Sequence, residues 1–382
     1  MSKLHDDAMR LVESKQLNEF ITTYDGDYEP QYTTTDLLSL TPLGWYLLNL
    51  GTQVNDKDSF AMRVANGYLL STGKYELPKY DNTYYMRSSL QAIKEIKQYG
   101  QTNGLVWIDD TTSGMQIQGA LHQCPISLLT SMGKPMSAEE AFYAAPPDTY
   151  TSVYDQFKRF VKPSKQQSMG KKLTRKMVKE LLLPLFYGAG IGRVKTLLGN
   201  DDELLEAFLQ ALNHKLPVLQ EHREFFMGFD YSGINTLEYT DMIGRKVYLD
   251  RTKQVGYDIN TSMGEVLVHA NEPLVEGDLY YDSMLSILAH FIHNIDSCIV
   301  AEMAKYFWLI KSTFSHTHDA YAALGSKINE LRLINRDKKM WILKSDLLNN
   351  FTKEVFGITT PKNTVNQSVC EQIINGSHLF CS

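Results

Sequence analysis

Apolar positions recur at helical spacing through most of this chain, and the exceptions are short. A helix is expected from Asp6 to Ile21, followed by a turn-rich stretch, TYDGDYEPQY. Residues 43–100 read as mostly helical. Gly104 then precedes LVWID (105–109), an apolar β-type run that stops at two carboxylates, Asp109 and Asp110. TRKMVKELLLPLFYG (174–188) has the pattern of one helix, with a kink expected at Pro184, which removes a helical hydrogen bond. Residues 201–228 return to helix, and LEYTDMIGRKVYLD (237–250) reads as a β-hairpin around Ile243-Gly244. Two helices are expected at Ser283–Ile292 and Cys298–Leu309. FSHTHDAY (314–321) reads as a β-like segment reaching Asp319, with more helices after it. Helices dominate and strands are few, so the expected class is α+β, a small sheet under a helical layer.

Composition narrows the function classes. The chain has 382 residues and a net charge of -6, which argues against a polybasic protein bound by global charge. Cys124, Cys298, Cys370 and Cys381 are scattered, without a Cys-x-x-Cys pair, so neither a disulfide framework nor a zinc knuckle is expected and a reducing compartment is. The first residues lack an apolar stretch of signal-peptide length. The best apolar run, Leu181 to Gly192, is twelve residues long and carries a proline, too short to span a bilayer. No membrane association is expected.

Charge is uneven along the chain. Residues 1–30 hold seven acids and three bases, while Asp155 to Lys195 holds eleven bases and two acids, flanked by Tyr154, Phe157, Phe160, Phe186 and Tyr187. A basic run is commonly a solvated helix face; aromatic flanks also suit a nucleic-acid or nucleotide surface. On one helix, Arg175, Lys179 and Tyr187 fall within a roughly 120° arc. That face suits a triphosphate, with Arg as a bidentate fork and Lys as a point charge, and an amphipathic helix with a wet basic side fits equally. Asp109 and Asp319 each end a short β segment. Alone, such an Asp is a turn former or cap; two on neighbouring strands make a site for two Mg²⁺ ions.

The order of these elements resembles the single-subunit, phage-type RNA polymerases, relatives of the family A DNA polymerases. IDDTTSGMQ (108–116) is similar to that family's first palm motif, an Asp followed four residues later by Ser-Gly-x-Gln. Arg175, Lys179, Tyr187 and Gly188 match the spacing of its fingers motif. FIHNIDS (291–297) resembles its Phe-x-His-x-x-Asp element, and His318-Asp319 its final His-Asp motif. GWYLLNLGTQVNDKDSFAMRV (44–64) resembles the segment before the first palm motif and puts Lys57 at a triphosphate-contacting lysine. NGSHLFCS (375–382) has the aromatic character of the family's terminal foot. The likeness covers about residues 35–382.

Three departures stand out. Asp110 replaces the usual Gly after the first catalytic Asp, Ala320 replaces the Ser after His-Asp, and the family's Asp/Thr-x-x-Gly-Arg motif is missing upstream. Asp241-Met-Ile-Gly-Arg245 has that spelling but follows the fingers segment, and is assigned to a fingers hairpin.

The resemblance implies a right-hand polymerase palm and fingers lacking most of the N-terminal and thumb region. It divides the chain into an acidic, partner-contacting segment (1–34), palm (35–130), fingers (131–280), and palm with foot (281–382). The implied protein is the larger, C-terminal subunit of a heterodimeric podovirus RNA polymerase acting in the host cytoplasm. Its implied partners are a smaller N-terminal subunit, template DNA, nascent RNA, ribonucleoside triphosphates and a promoter-opening or single-strand-binding accessory protein. Asp109 and Asp319, with Asp110 as a further metal candidate, are implied ligands of two Mg²⁺ ions. Arg175, Lys179, Lys57, Tyr187 and Gly188 would serve the substrate. Gly114 stands where related DNA polymerases carry a bulky Glu that excludes a ribose 2′-OH, and Tyr187 and His293 would sense that hydroxyl. A core histidine at 293 and a helix-entry glycine at 114 are the plainer readings. A DNA polymerase of the same architecture and a catalytically silent scaffold are the alternatives.

Overall fold

The computed structural model describes residues 2–77, 83–169, 173–186, 190–231, 234, 236–250, 252–261, 264–273, 281–362 and 364–381. They form two compact units. The first holds residues 1–152, 299–344 and 365–382, and the second holds 153–298 and 345–364.

The first unit opens with α1 (Ser2–Glu13) and a 3₁₀ turn at Gln16–Phe20, followed by the two-residue strands β1 (Ile21–Thr22) and β2 (Ser39–Leu40). The helix expected from Asp6 to Ile21 is therefore broken. Lys15 adopts a left-handed φ of 56°, which separates α1, ending at Glu13, from the 3₁₀ turn. Leu4, Ala8, Leu17 and Phe20 are buried, so the acidic N-terminal segment is built into this unit instead of standing apart as residues 1–34.

Helices α2 (Pro42–Thr52) and α3 (Phe60–Ser71) pack with their backbones touching. A Cβ at Gly51 would lie 1.7 Å from the Arg63 carbonyl oxygen, and one at Gly67 would lie 1.9 Å from that of Leu47. Only glycine permits this approach at both crossings. The contact fixes the short loop that carries Lys57. Thr41 and Ser59 cap the two helices, accepting from the amides of Gly44 and Met62.

After α4 (Thr83–Tyr99) comes β3 (Leu105–Asp109). Helices α5 (Ser113–Leu121), α6 (Pro125–Met132) and α7 (Ala138–Tyr143) follow. Helix α8 (Thr149–Phe160) runs into the second unit, which continues with α9 (Pro163–Met169), α10 (Arg175–Phe186), α11 (Ile191–Leu197), α12 (Asp202–Lys215) and α13 (Val218–Met227). Its strands form two antiparallel hairpins, β4 (Thr236–Thr240) with β5 (Lys246–Asp250), and β6 (Thr252–Thr261) with β7 (Gly264–Pro273). The first is the expected hairpin. Asp241 closes its loop, accepting from the amides of Ile243 and Arg245 and from Arg245 Nε at 2.8 Å, while Gly244 takes a φ of 84°. Phe226, Phe291 and Phe351 form the aromatic centre of this unit, with ring centroids 5.2–5.3 Å apart.

One helix, α14 (Tyr281–Leu309), replaces the two expected between Ser283 and Leu309. No Gly or Pro lies between Ile292 and Cys298, so nothing stops the hydrogen-bond ladder. The chain returns to the first unit with β8 (Phe314–Thr317), β9 (Ala320–Leu324) and α15 (Ile328–Lys344). Helix α16 (Leu347–Phe356) lies in the second unit and α17 (Gln367–Gly376) in the first.

The unit boundaries differ from the expected division at 131 and 281. Residues 131–152 stay with the first unit, where Thr111 Oγ1 bonds the Ser131 carbonyl and Thr149 Oγ1 lies 2.6 Å from Thr112 Oγ1. The protein is helix-rich with a small antiparallel sheet, an α+β class. Among the described residues no helix is long and apolar enough to cross a membrane.

Candidate active site

The first unit's three-stranded sheet has the order β3-β9-β8, all antiparallel. Val106 and Ile108 of β3 point into the core, and Asp109 emerges at the strand's end. Cross-strand register pairs Asp109 with Ala320 and Ile108 with Tyr321. FSHTHDAY is thus two strands, not one: β8 and β9 joined by the two-residue loop His318-Asp319. His318 takes a left-handed φ of 54°, as tight hairpins require, and histidine is among the residues that tolerate it. The loop sets Asp319 beside the end of β3. The Asp110 amide donates to the Asp319 carbonyl at 3.5 Å.

Helix α2 holds this sheet in place. Tyr46 donates its hydroxyl proton to the Gly104 carbonyl at 2.6 Å and accepts from the Gly325 amide at 3.1 Å. Asn49 Oδ1 accepts from the Trp107 amide.

The two candidate carboxylates therefore come from distant parts of the sequence and meet through strand pairing. Asp109 retains solvent contact, and Asp319 is half-buried. Crowding by the protein, then the charges of Asp319 and Asp110, push the Asp109 carboxyl up to about 7. The Lys57 ammonium and the Asp110 amide oppose that rise. Lys57 lies in the α2–α3 loop and forms an ion pair with its chain neighbour Asp56 at 2.9 Å.

Asp110 has a different environment. Its side chain is buried, its Oδ1 accepting from Asn335 Nδ2 at 2.8 Å and its Oδ2 from Lys339 Nζ at 2.9 Å. Burial pushes its carboxyl up, against the pull of Lys339 and Asn335. Both of its oxygens are already engaged, which leaves Asp109 and Asp319 as the outward-facing pair. Gly114 is buried in the first turn of α5.

The remaining candidates belong to the second unit. Arg175 and Lys179 sit one turn apart on α10, half-buried and exposed respectively, with Val178, Leu181, Leu182 and Phe186 buried. Tyr187 and Gly188 lie outside the described residues. His293 is on an exposed position of α14, so it is not a core histidine.

Sequence reasoning missed α15. Glu330, Arg332, Arg336, Asp337 and Lys339 are all buried there. Arg332 donates to the carbonyls of Leu38, His378 and Cys381, and Arg336 to those of Thr34, Asp36 and Asn375. These bonds lash residues 34–38 and 375–381 to the helix beneath the sheet. His378 Nδ1 accepts from the Leu38 amide at 2.8 Å, and burial among these arginines holds the ring down to about 4, hence neutral. The available signal was charge on every face of INELRLINRDKKMWILK, which leaves no single wet side.

No protein-family model matches the sequence, and no curated protein shows a significant match to it.

The acidic pair suits a hard divalent cation. Two carboxylates from distant parts of the sequence are neighbours here, and burial first, then the charges of Asp319 and Asp110, disfavour the ionised Asp109 carboxyl. Among the described residues no group of three His, Cys, Asp or Glu ligands is assembled. Mg²⁺ commonly takes one or two carboxylates and completes its shell with water and substrate phosphate.

Proposed function

We propose that this chain is the catalytic subunit of a DNA-directed RNA polymerase, working with a smaller partner subunit. The observation that carries the reading is the pairing of β3 with β9, which sets Asp109 beside the Asp319 loop.

The reaction is template-directed nucleotidyl transfer. The 3′-oxygen of the RNA attacks the α-phosphorus of a ribonucleoside triphosphate. The bond to the β-phosphate's bridging oxygen breaks, pyrophosphate leaves, and the 3′-hydroxyl proton passes to solvent. Asp109 and Asp319 would hold two Mg²⁺ ions. When bound, the ions supply acidification of the 3′-hydroxyl and neutralisation of the leaving group. Lys57, beside Asp109, offers a cation to the triphosphate. Arg175 and Lys179 on α10 are assigned a guanidinium fork and a point charge for triphosphate binding. Tyr187 and Gly188 are assigned to the templated pair, and Tyr187 and His293 to sensing the ribose 2′-hydroxyl. The basic stretch from Asp155 to Lys195 grips template phosphates.

The test is primer extension on single-stranded DNA with ribonucleotides and Mg²⁺, using the chain co-expressed with its partner. Asp319→Asn is expected to lower extension by on the order of 10³-fold or more while template binding persists. Extension by the variant at the wild-type rate would remove the reading.

A further inference from the structure

We infer that Lys339 and Asn335 are positioning residues for divalent-cation binding at Asp109 and Asp319, acting through Asp110. The inference rests on the reading of that carboxylate pair as the cation site.

Asp110 is tied to both members of the pair. It follows Asp109 in the chain, and its amide reaches the Asp319 carbonyl. Its backbone also bridges to Cys381, and the next amide, of Thr111, donates to the Phe380 carbonyl at 3.0 Å. A side chain at this point can fix or loosen both carboxylates at once.

That side chain ends in a closed network. Lys339 Nζ donates to Asp110 Oδ2 at 2.9 Å and to Asn335 Oδ1 at 2.6 Å. Asn335 Nδ2 donates to Asp110 Oδ1 at 2.8 Å. The three groups thus bond each other in a ring, and the ammonium also lies 4.9 Å from the Phe380 ring centroid. Asn335 and Lys339 are four residues apart on α15, so one helix face presents both. The helix itself is clamped by Arg332 and Arg336 to the residues around it.

The anchor is rigid, because a buried network whose members bond one another tolerates little movement. A glycine at position 110 could not supply it.

Calorimetric titration of the metal-free chain with Mn²⁺ tests this, below the melting temperature and with circular dichroism confirming the fold. Lys339→Met is expected to weaken Mn²⁺ binding by about 10–100-fold, and Asn335→Ala by about 10-fold, the range seen when an outer partner of a ligand is lost. If Lys339→Met does not fold, Asn335→Ala decides, since it keeps the ion pair. A folded variant that melts earlier yet binds Mn²⁺ as tightly as wild type has lost only structure, and that result overturns the inference. Asp109→Asn is the control. If it binds Mn²⁺ like wild type, the cation-site reading fails and takes this inference with it; if it does not, failure belongs to the positioning role alone.

Discussion

The two units present their candidate chemistry in opposite ways. In the first, Asp109 and Asp319 are fixed by backbone register, and the residues behind them are buried charges paired to carbonyls or to each other. In the second, Lys179 is exposed on α10, whose apolar residues Val178, Leu181 and Leu182 are buried. A group whose position is set by the fold couples chemistry to stability. A group on a helix exterior separates them. Substitutions of the buried charges behind the pair should therefore cost both, and those of exposed groups on α10 should cost function alone.

The sharpest break in that comparison is at the carboxylates. Asp319→Asn should show the largest effect, the loss of extension given above, and it removes a charge from a crowded place. Next is Arg332→Met. It removes the guanidinium that lies over the rings of Trp45 and Phe60 and leaves the carbonyls of Leu38, His378 and Cys381 without their donor. Urea denaturation should show a loss of about 3–5 kcal/mol, the range for breaking a buried charged network by removing one member. A loss under ~1 kcal/mol would mean that the buried arginine is not what holds the C-terminal residues to α15.

Lys179→Met should behave differently. Its stability should stay within about 0.5 kcal/mol of wild type, as at other exposed sites. Extension at low ribonucleotide concentration should fall about 10–100-fold, the worth of one charge-assisted contact. If stability falls instead and extension does not, the contrast between the units is wrong at α10.

How far the sequence could be read depended on what held each element. Period-two and period-3.6 patterns located β3, the helices of residues 43–100, α12 and α13, and the β4–β5 hairpin, because those depend on local apolar spacing and turn residues. The hairpin Asp241-x-x-Gly-Arg245 was legible for the same reason: its loop is closed by its own residues. The β8–β9 turn was not, because His318 occupies a conformation usually marked by Gly or Asn. The role of α15 was also hidden. Its lysine and arginines look like a wet face until the residues they bond, hundreds of positions away for Leu38 and Asp110, are folded against them. Asp109 and Asp319 were legible as candidates because each was expected to end a β segment, although Asp319 stands in the turn between two strands. Their juxtaposition required the register, which no local pattern encodes.

Mn²⁺ affinity as a function of pH tests the central claim most directly, with wild type against Asp109→Asn. The free Asp109 carboxyl sits near 7, above its ordinary value of 3.8, so between those values the folded protein holds a proton that the unfolded chain does not. In the metal-free protein this favours folding at the acid end of the window and is lost as pH rises through 7. The same proton competes with the cation. Wild type is expected to bind Mn²⁺ tightly at pH 8 and about 10-fold more weakly at pH 6, whereas Asp109→Asn binds weakly at both. Equal affinity of the two proteins at pH 8 would contradict the account.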